Sequence, residues 1–292
     1  MARRKQHLPW HAAGEVTEAE SSADQVVRDT GWVFNNQTGG DLDLATFVES
    51  GDHEVGAYVE GFGLTMPQPA TVVEIGSGIG RMTSQFTHRF EKVIACDLDA
   101  AFLERCRETV ARFGVTPRLQ TLHVSDGRTL VMPDDTADVT FSYITLQHCH
   151  RQDALALTAE AVRVTRPGGK IAMNYRTWTG TDALLWPAGK VVRALWKVPK
   201  IGPLIARQRI ATRIGWQANR LSPLEVIAAV GPQLDNMRIF RAPSRRPFAV
   251  EGTTDETLAG INPSHWWLIA DIANRPPAPT ASITRSRLCR SR

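Results

Sequence analysis

Cysteine is scarce in this 292-residue chain. Its four cysteines, Cys96, Cys106, Cys149 and Cys289, show no Cys-x-x-Cys spacing. Neither a disulfide framework nor a thiolate zinc site is indicated, and a reducing cytoplasm is the expected compartment. Long apolar runs are missing too, since nothing approaches the roughly 18 residues of a membrane span. The opening Met1-Ala2-Arg3-Arg4-Lys5-Gln6-His7 is basic without the apolar core of a signal peptide, so export is not expected. Net charge is only +4, too small to argue for nucleic acid, and DNA is not an expected partner. One region, however, lacks acid almost entirely. Between Arg163 and Arg220 there are twelve Lys or Arg residues and one acidic residue, Asp182, with Trp178, Trp186, Trp196 and Trp216 interleaved. Such a stretch suits RNA, an anionic membrane surface or an acidic substrate, and equally a solvated helical face anchored by tryptophans.

The apolar content that is present, 42%, is ordinary for a chain that buries a sizeable core. Residues 1–24 are polar, without sustained period, and are expected to form a flexible or loosely docked arm. Residues 25–68 read as a helical approach broken by Gly31, Gly39-Gly40 and Gly51. Within it Asp41 and Asp43 can cap a helix carrying Leu44, Phe47 and Val48, continued by Val55, Tyr58 and Val59 at i, i+3, i+4 spacing. From 69 to 175 strand and helix signals alternate, which argues for a parallel sheet with helices on both sides. Strands are expected at Thr71–Ile75, Lys92–Cys96, Leu119–Val124, Ala137–Tyr143 and Lys170–Tyr175. Asp99 is placed to cap the helix after the second strand, and Pro167-Gly168-Gly169 to stop the helix before the fifth. The alternation fails over 176–222, which reads as a helical insertion. It resumes at Ser222-Pro223-Leu224-Glu225, a capping box with proline at the first helical position, and strands at Met237–Arg241 and Trp266–Asp271 complete the sheet within 223–272. Residues 273–292, rich in Pro, Ser and Arg, are expected to be disordered.

The chemistry concentrates at Val72-Val73-Glu74-Ile75-Gly76-Ser77-Gly78-Ile79-Gly80-Arg81, a short buried-strand signal followed by glycines at alternate positions that open a helix. Glycine there allows a sharp turn and lets a ligand approach the backbone N–H groups of the first helical turn. A phosphate-binding Walker loop needs Gly-Lys-Ser/Thr, and the chain has Gly80-Arg81-Met82. A dinucleotide fingerprint counted from Gly76 wants a small residue where bulky Arg81 stands.

What the residues do match is Glu-x-Gly-x-Gly-x-Gly, and over Pro69–Tyr175 the chain resembles the class I S-adenosylmethionine-dependent methyltransferases. Glu74 to Gly80 is similar to their first motif. Asp97, 21 positions after Gly76, matches the acidic residue that grips the ribose hydroxyls, and Asp126 matches the residue that binds the adenine amine, with Gly127 leaving room for the ring. Ala137-Asp138-Val139-Thr140-Phe141 resembles the fourth strand, and Arg163-Val164-Thr165-Arg166-Pro167-Gly168-Gly169 the segment ahead of the fifth. The resemblance implies a Rossmann-like, doubly wound, mostly parallel seven-stranded sheet in three α/β/α layers with an antiparallel last strand. It implies S-adenosyl-L-methionine as cofactor, held by Glu74, Gly76, Ser77, Gly78, Gly80, Asp97, Leu98, Asp126, Gly127 and Tyr143. On the residues alone, Glu74 also reads as a satisfied strand-end carboxylate, Asp97 and Asp126 as helix caps, and Asp138 as structural. Trp32 or Phe34 reads as core, or as an aromatic closing over the cofactor.

The acceptor is narrowed by absences. After the fourth strand stands Ser142-Tyr143-Ile144-Thr145-Leu146-Gln147-His148, not the Asn/Asp-Pro-Pro-aromatic motif of amino-methylating relatives. No acidic ligand set follows strands four and five, so no metal is inferred. His148 remains as the candidate catalytic base for a hydroxyl, with His150 favouring the surface. The expectation is methyl transfer to a small-molecule acceptor, most readily at oxygen, with RNA or protein methylation or a non-catalytic cofactor-binding scaffold as alternatives. Leu184, Leu185, Trp186, Val191, Val192, Leu195 and Trp196 read as an amphipathic helix with Lys190, Arg193 and Lys197 on its wet side, serving as an acceptor lid, a membrane contact or a dimer element.

Overall fold

The computed structural model describes residues 22–27, 43–206, 208–216 and 219–274. The expected arm over 1–21, the aromatics Trp32 and Phe34, the cap Asp41 and the tail from 275 onward lie outside these residues, as does the side chain of Trp216. The sheet is built from β1 (Thr71–Ile75), β2 (Lys92–Asp97), β3 (Leu119–His123), β4 (Ala137–Ser142), β5 (Thr165–Arg176), β6 (Leu234–Arg241), β7 (Thr254–Thr257) and β8 (His265–Ile272). Its order is β3-β2-β1-β4-β5-β8-β6-β7, with β8 antiparallel to both neighbours and every other pairing parallel.

The helices are α1 (Leu44–Gly61), α2 (Thr83–Arg89), α3 (Ala100–Phe113), α4 (Arg151–Val164), α5 (Asp182–Leu195), α6 (Ile201–Ala206), α7 (Arg209–Trp216) and α8 (Pro223–Val230). Each start that the sequence marks is capped as expected. Asp43 accepts from Thr46 N at 2.8 Å, Asp99 from Ala101 N at 2.8 Å, and Ser222 and Glu225 close a capping box with Pro223 inside the first turn. Parallel strands are covered on both faces, so their runs are continuously apolar rather than alternating. One core holds Ile94, Cys96, Ile171 and Trp266 against α4 and α8. The other holds Val72, Val93, Phe141 and Trp267 against α1 and α2. β8 supplies both, because successive residues of a strand face opposite sides. Trp266 stacks on Tyr175 at 4.7 Å, while Trp267 packs among Tyr58, Phe62, Phe141 and Tyr143.

Three differences from expectation have physical causes. The sheet has eight strands, not seven: β7, Thr-Asp-Glu-Thr, carries no apolar pattern and is held at the edge by Asp255, which accepts from Arg241 Nε at 2.6 Å. Pro167-Gly168-Gly169 does not end the helix ahead of the strand but sits inside β5, where Gly168 takes φ +75 and the register against β4 shifts. Gly51 does not break α1. It is the point where the helix presses on the turn after β1, since a Cβ there would lie 2.6 Å from Arg81 O. Asp138 is structural as read, accepting from Thr71 N at 2.6 Å and pairing with Arg166.

Candidate active site

The turn after β1 is shaped by positive φ at Gly76 (+83), Gly78 (+55) and Gly80 (+92), conformations that L side chains resist. It is tied down from beneath: Gly76 N and Ser77 N both donate to Cys96 O, at 2.7 and 3.1 Å. Gly76 also faces a wall, because a Cβ there would lie 2.1 Å from Thr145 Oγ1. The Ser77 hydroxyl is buried beside the Cys106 thiol, a weak partner, with no oxygen or nitrogen partner among the described residues. It keeps hydrogen-bonding capacity for a polar group at the turn.

Two carboxylates flank the turn. Glu74, inside β1, is buried and accepts from Thr83 Oγ1 at 2.6 Å. Burial pushes its carboxyl up to about 7, with the Thr83 bond and the Arg81 charge opposing and the Asp97 charge assisting. Asp97, last in β2, accepts from Gly78 N at 2.8 Å through Oδ2 and from Asp99 N at 2.9 Å through Oδ1. Burial raises it to about 6, against the bonds from Asp99 and Gly78. Asp97 thus bridges the glycine turn and the start of α3, with the Leu98 N–H as a further backbone donor, and the carboxylate's four lone pairs leave acceptor capacity beyond these three bonds.

Next to Asp97, Leu98 approaches the loop after β3. A Cβ at Gly127, whose φ is +68, would lie 3.5 Å from Leu98 Cδ1. Leu98 and Gly127 therefore lie side by side. Asp126 is engaged locally: it accepts from Arg128 N, Thr129 N and Thr129 Oγ1 at 2.9, 2.9 and 2.7 Å, so its carboxylate closes its own loop. Burial opposes its ionisation, but these three donors together hold it below the usual carboxylate range.

The segment after β4 leans on the glycine turn. Thr145 Oγ1 donates to Gly76 O at 3.3 Å and to Tyr143 O at 3.1 Å. Ile144, a β-branched residue at φ +54, carries backbone strain of the kind that concentrates at functional sites. Tyr143 stacks on Trp267 at 5.3 Å and donates to Glu54 Oε1 at 3.4 Å, which places it toward α1. Glu54 in turn pairs with Arg81 at 2.6 Å. His148 follows in a single 3-10 turn, Leu146–His148, and Asn219 from the far end of the insertion holds that turn through Leu146 O (2.6 Å) and Cys149 O (2.8 Å).

Sequence reasoning missed the polar group behind His148. The Gln147 side chain bridges two imidazoles, with Oε1 accepting from His265 Nε2 at 2.9 Å and Nε2 donating to His148 Nε2 at 3.3 Å. Burial, then the charges of Arg176, His148 and Arg220, pull His265 down to about 3, so it is a neutral donor at physiological pH. Below it Asp182 is fully buried and accepts from Arg220 Nη2 at 2.7 Å and Arg176 Nη2 at 3.3 Å. His265 and Asp182 lie far from the glycine motif in sequence, and no local pattern marks them. An open cavity of about 540 Å³ lies elsewhere, lined by Trp178, Arg245, Arg246, Phe248 and Pro263. It includes none of the glycine-turn residues.

The raised carboxyl of Glu74 gives a signed expectation. A group whose folded pKa, about 7, exceeds its unfolded value near 4.5 costs stability progressively as pH rises through that window, and fully above it. Glu74→Gln removes a cost of order 3 kcal/mol at most. Thermal melts should place the variant above the parent at pH 8 and near it at pH 5. Equal midpoints at pH 8 would mean that the Glu74 carboxylate is not penalised by its burial.

The strand order, with a single antiparallel strand between β5 and β6, and a glycine turn flanked by the Glu74 and Asp97 carboxylates together define a Rossmann-like methyltransferase fold. Residues 73–173, about a third of the chain, match the methyltransferase domain family. It is similar to a malonyl-[acyl-carrier protein] O-methyltransferase from Serratia marcescens, 29% identical over 48% of this chain and 49% of the relative. A carboxy-S-adenosyl-L-methionine synthase from Pseudomonas putida is 29% identical over 39% of this chain and 49% of that protein. The chain thus spans about half the length of the curated relatives it matches. Among solved structures, a S-adenosylmethionine-dependent methyltransferase from Aquifex aeolicus is 16% identical, covers 80% of this chain and all of its own, and superposes with a TM-score of 0.49.

Proposed function

We propose that this protein transfers a methyl group from S-adenosylmethionine to a hydroxyl oxygen of a small-molecule acceptor. The observation that carries the reading is the convergence, at the C-terminal ends of β1, β2, β3 and β4, of the glycine turn, Asp97, Leu98 with Gly127, and the His148 turn braced on Gly76 through Thr145. This is the crevice where open α/β sheets take their ligands. The Ser77 hydroxyl and the glycine backbone fit the polar amino-acid end of the cofactor, and the remaining acceptor capacity of the Asp97 carboxylate fits a vicinal diol. The bound cofactor supplies an electrophilic methyl on a sulfonium.

The chain's own part is positioning and proton management. Gln147 donates to His148 Nε2, leaving the ring proton on Nδ1 and Nε2 as the basic nitrogen. His148 is then the group that receives the acceptor's proton once a hydroxyl replaces the Gln147 contact. The O-methyltransferase among the relatives supports oxygen as the acceptor atom. Calorimetry tests the cofactor site: Asp97→Ala should weaken S-adenosylmethionine and S-adenosylhomocysteine binding about 100-fold, the scale of two charge-assisted hydrogen bonds, and Gly78→Val should weaken it as well. Unchanged affinity in both variants would refute the site. A screen of cell extract for methyl groups transferred from labelled cofactor identifies the acceptor. With that acceptor, His148→Gln should lose about 10²- to 10⁴-fold in turnover at unaltered cofactor affinity.

A further inference from the structure

The insertion presents an apolar surface that no described residue covers. Along α5 and the turn after it, Leu184, Pro187, Val191, Ala194 and Val198 are all exposed. Their spacing of i, i+3, i+7, i+10 and i+14 puts them on one helical face. Leu184 is 76% exposed and Val191 58%, and the same surface type continues on α6 with Leu204 (63%) and on α7 with Ile210 (75%). Counting Val198 and Ile201, six of the nine large exposed hydrophobics among the described residues fall between 184 and 210. Scattered exposed hydrophobics need no explanation, but a concentration on one helical unit does.

The inward face of α5 is already occupied. A Cβ at Gly189 would lie 2.8 Å from Ile214 O, and Gly215 sits directly under the buried Trp196 ring. Arg193, read from sequence as wet, instead turns inward to donate to Gly215 O at 3.0 Å and to lie over Trp186. The helix is therefore reversed relative to an ordinary surface helix, with its apolar stripe to solvent. Its cations sit beside the stripe: Lys190, Lys197 and Lys200 are exposed and each immediately precedes Val191, Val198 or Ile201. Lysines so placed can keep their stems on an apolar phase and their ammonium groups at its rim.

From this we infer that the α5–α7 face is a docking surface for anionic lipid bilayers, lying in the headgroup plane. Charge selects this occupant over a second copy of the chain. Over 184–206 the exposed charged side chains among the described residues are Lys190, Lys197 and Lys200, with no acidic residue. A two-fold interface would bring that cationic surface against itself, whereas anionic headgroups neutralise it while the stripe enters the acyl boundary. No helix among the described residues is long and apolar enough to cross a membrane, so the contact is peripheral. Because Asn219 joins the end of this unit to the His148 turn, docking would bring the mouth of the crevice to the lipid surface.

Flotation of the full chain with phosphatidylcholine vesicles, with and without phosphatidylglycerol, tests it. Binding is expected only with phosphatidylglycerol and is expected to weaken at high salt. The pair Leu184→Glu with Val191→Glu should weaken it about tenfold or more, at unchanged circular dichroism and cofactor affinity. Lys190→Gln with Lys197→Gln, which leaves the apolar stripe intact, should flatten the salt dependence. Absence of flotation with phosphatidylglycerol, or equal flotation of the Leu184/Val191 variant, overturns the proposal. So does light scattering that shows a dimer which the same variant dissociates, or capture of an acidic carrier protein in place of vesicles.

Discussion

Replacing Gly76 by alanine is expected to abolish measurable cofactor binding and to destabilise the fold by about 2–4 kcal/mol. Two independent penalties act at this one position. The backbone lies at φ +83, which costs an L residue roughly 1–2 kcal/mol. The new methyl would lie 2.1 Å from Thr145 Oγ1 and 2.5 Å from Thr145 Cβ, far inside contact distance. Thr145 cannot simply withdraw, because its hydroxyl is bonded to Gly76 O and Tyr143 O and its neighbour Ile144 is held at φ +54 with its N–H on Asn174 Oδ1. The clash is therefore passed to the His148 turn. The double variant Gly76→Ala with Thr145→Gly separates the two penalties, since it removes the clash and leaves the backbone strain. Urea melts should recover part of the lost stability, and calorimetry part of the lost affinity. If Gly76→Ala alone binds S-adenosylmethionine as tightly as the parent, the glycine turn is not the cofactor's cradle.

The contrast between Gly76 and Gly51 shows what the sequence can convey. Both are points of close approach, yet only Gly76 lies in a local pattern of strand, glycines and helix that announces a turn. Gly51 reads as a helix break because the Arg81 carbonyl it accommodates, 30 positions on, is invisible from its neighbours. The same division runs through the fold. β1, the Asp43 and Asp99 caps and the Ser222–Glu225 capping box are legible because their hydrogen bonds close within about four residues. β7 is not, because a polar edge strand is made by pairing rather than by its own residues. In the candidate site, Glu74, Asp97, Leu98 and Gly127 lie in or just after successive parallel strands, where chain order itself predicts proximity. The Gln147 bridge joins partners 118 positions apart, and such a contact follows only from β8 running antiparallel beside β5. Arg193 reads as wet for a related reason: a helical wheel gives the faces of α5 but not which face the rest of the protein covers.

Asp182→Ala should produce the other large effect, a loss of about 3–5 kcal/mol, because removing one member of a buried ion cluster strands the rest without compensation. Asp182 has no exposed surface, Arg220 is 3% exposed at its side chain and Arg176 9%. Burial alone would raise the Asp182 carboxyl, but Arg220, the Thr179 N–H and hydroxyl, and Arg176 hold it well below the usual carboxylate range. One side chain thereby ties together the end of β5, the start of α5 and the segment entering α8, so it anchors both ends of the insertion. For a folded unit of this size the loss corresponds to a fall in melting temperature of roughly 6–20 °C. The loss should be concentrated rather than uniform. Hydrogen exchange should accelerate in α5 and α7 and at the Leu146–His148 turn that Asn219 secures, while β1 and β2 stay protected. The triple replacement Arg176→Met, Asp182→Leu, Arg220→Met, which leaves no charge buried, should recover much of the stability. Recovery of stability without recovery of protection at the His148 turn would assign the arginines a role in holding the active-site loop. Failure of Asp182→Ala to destabilise at all would mean that the insertion is held by its tryptophans and apolar contacts alone.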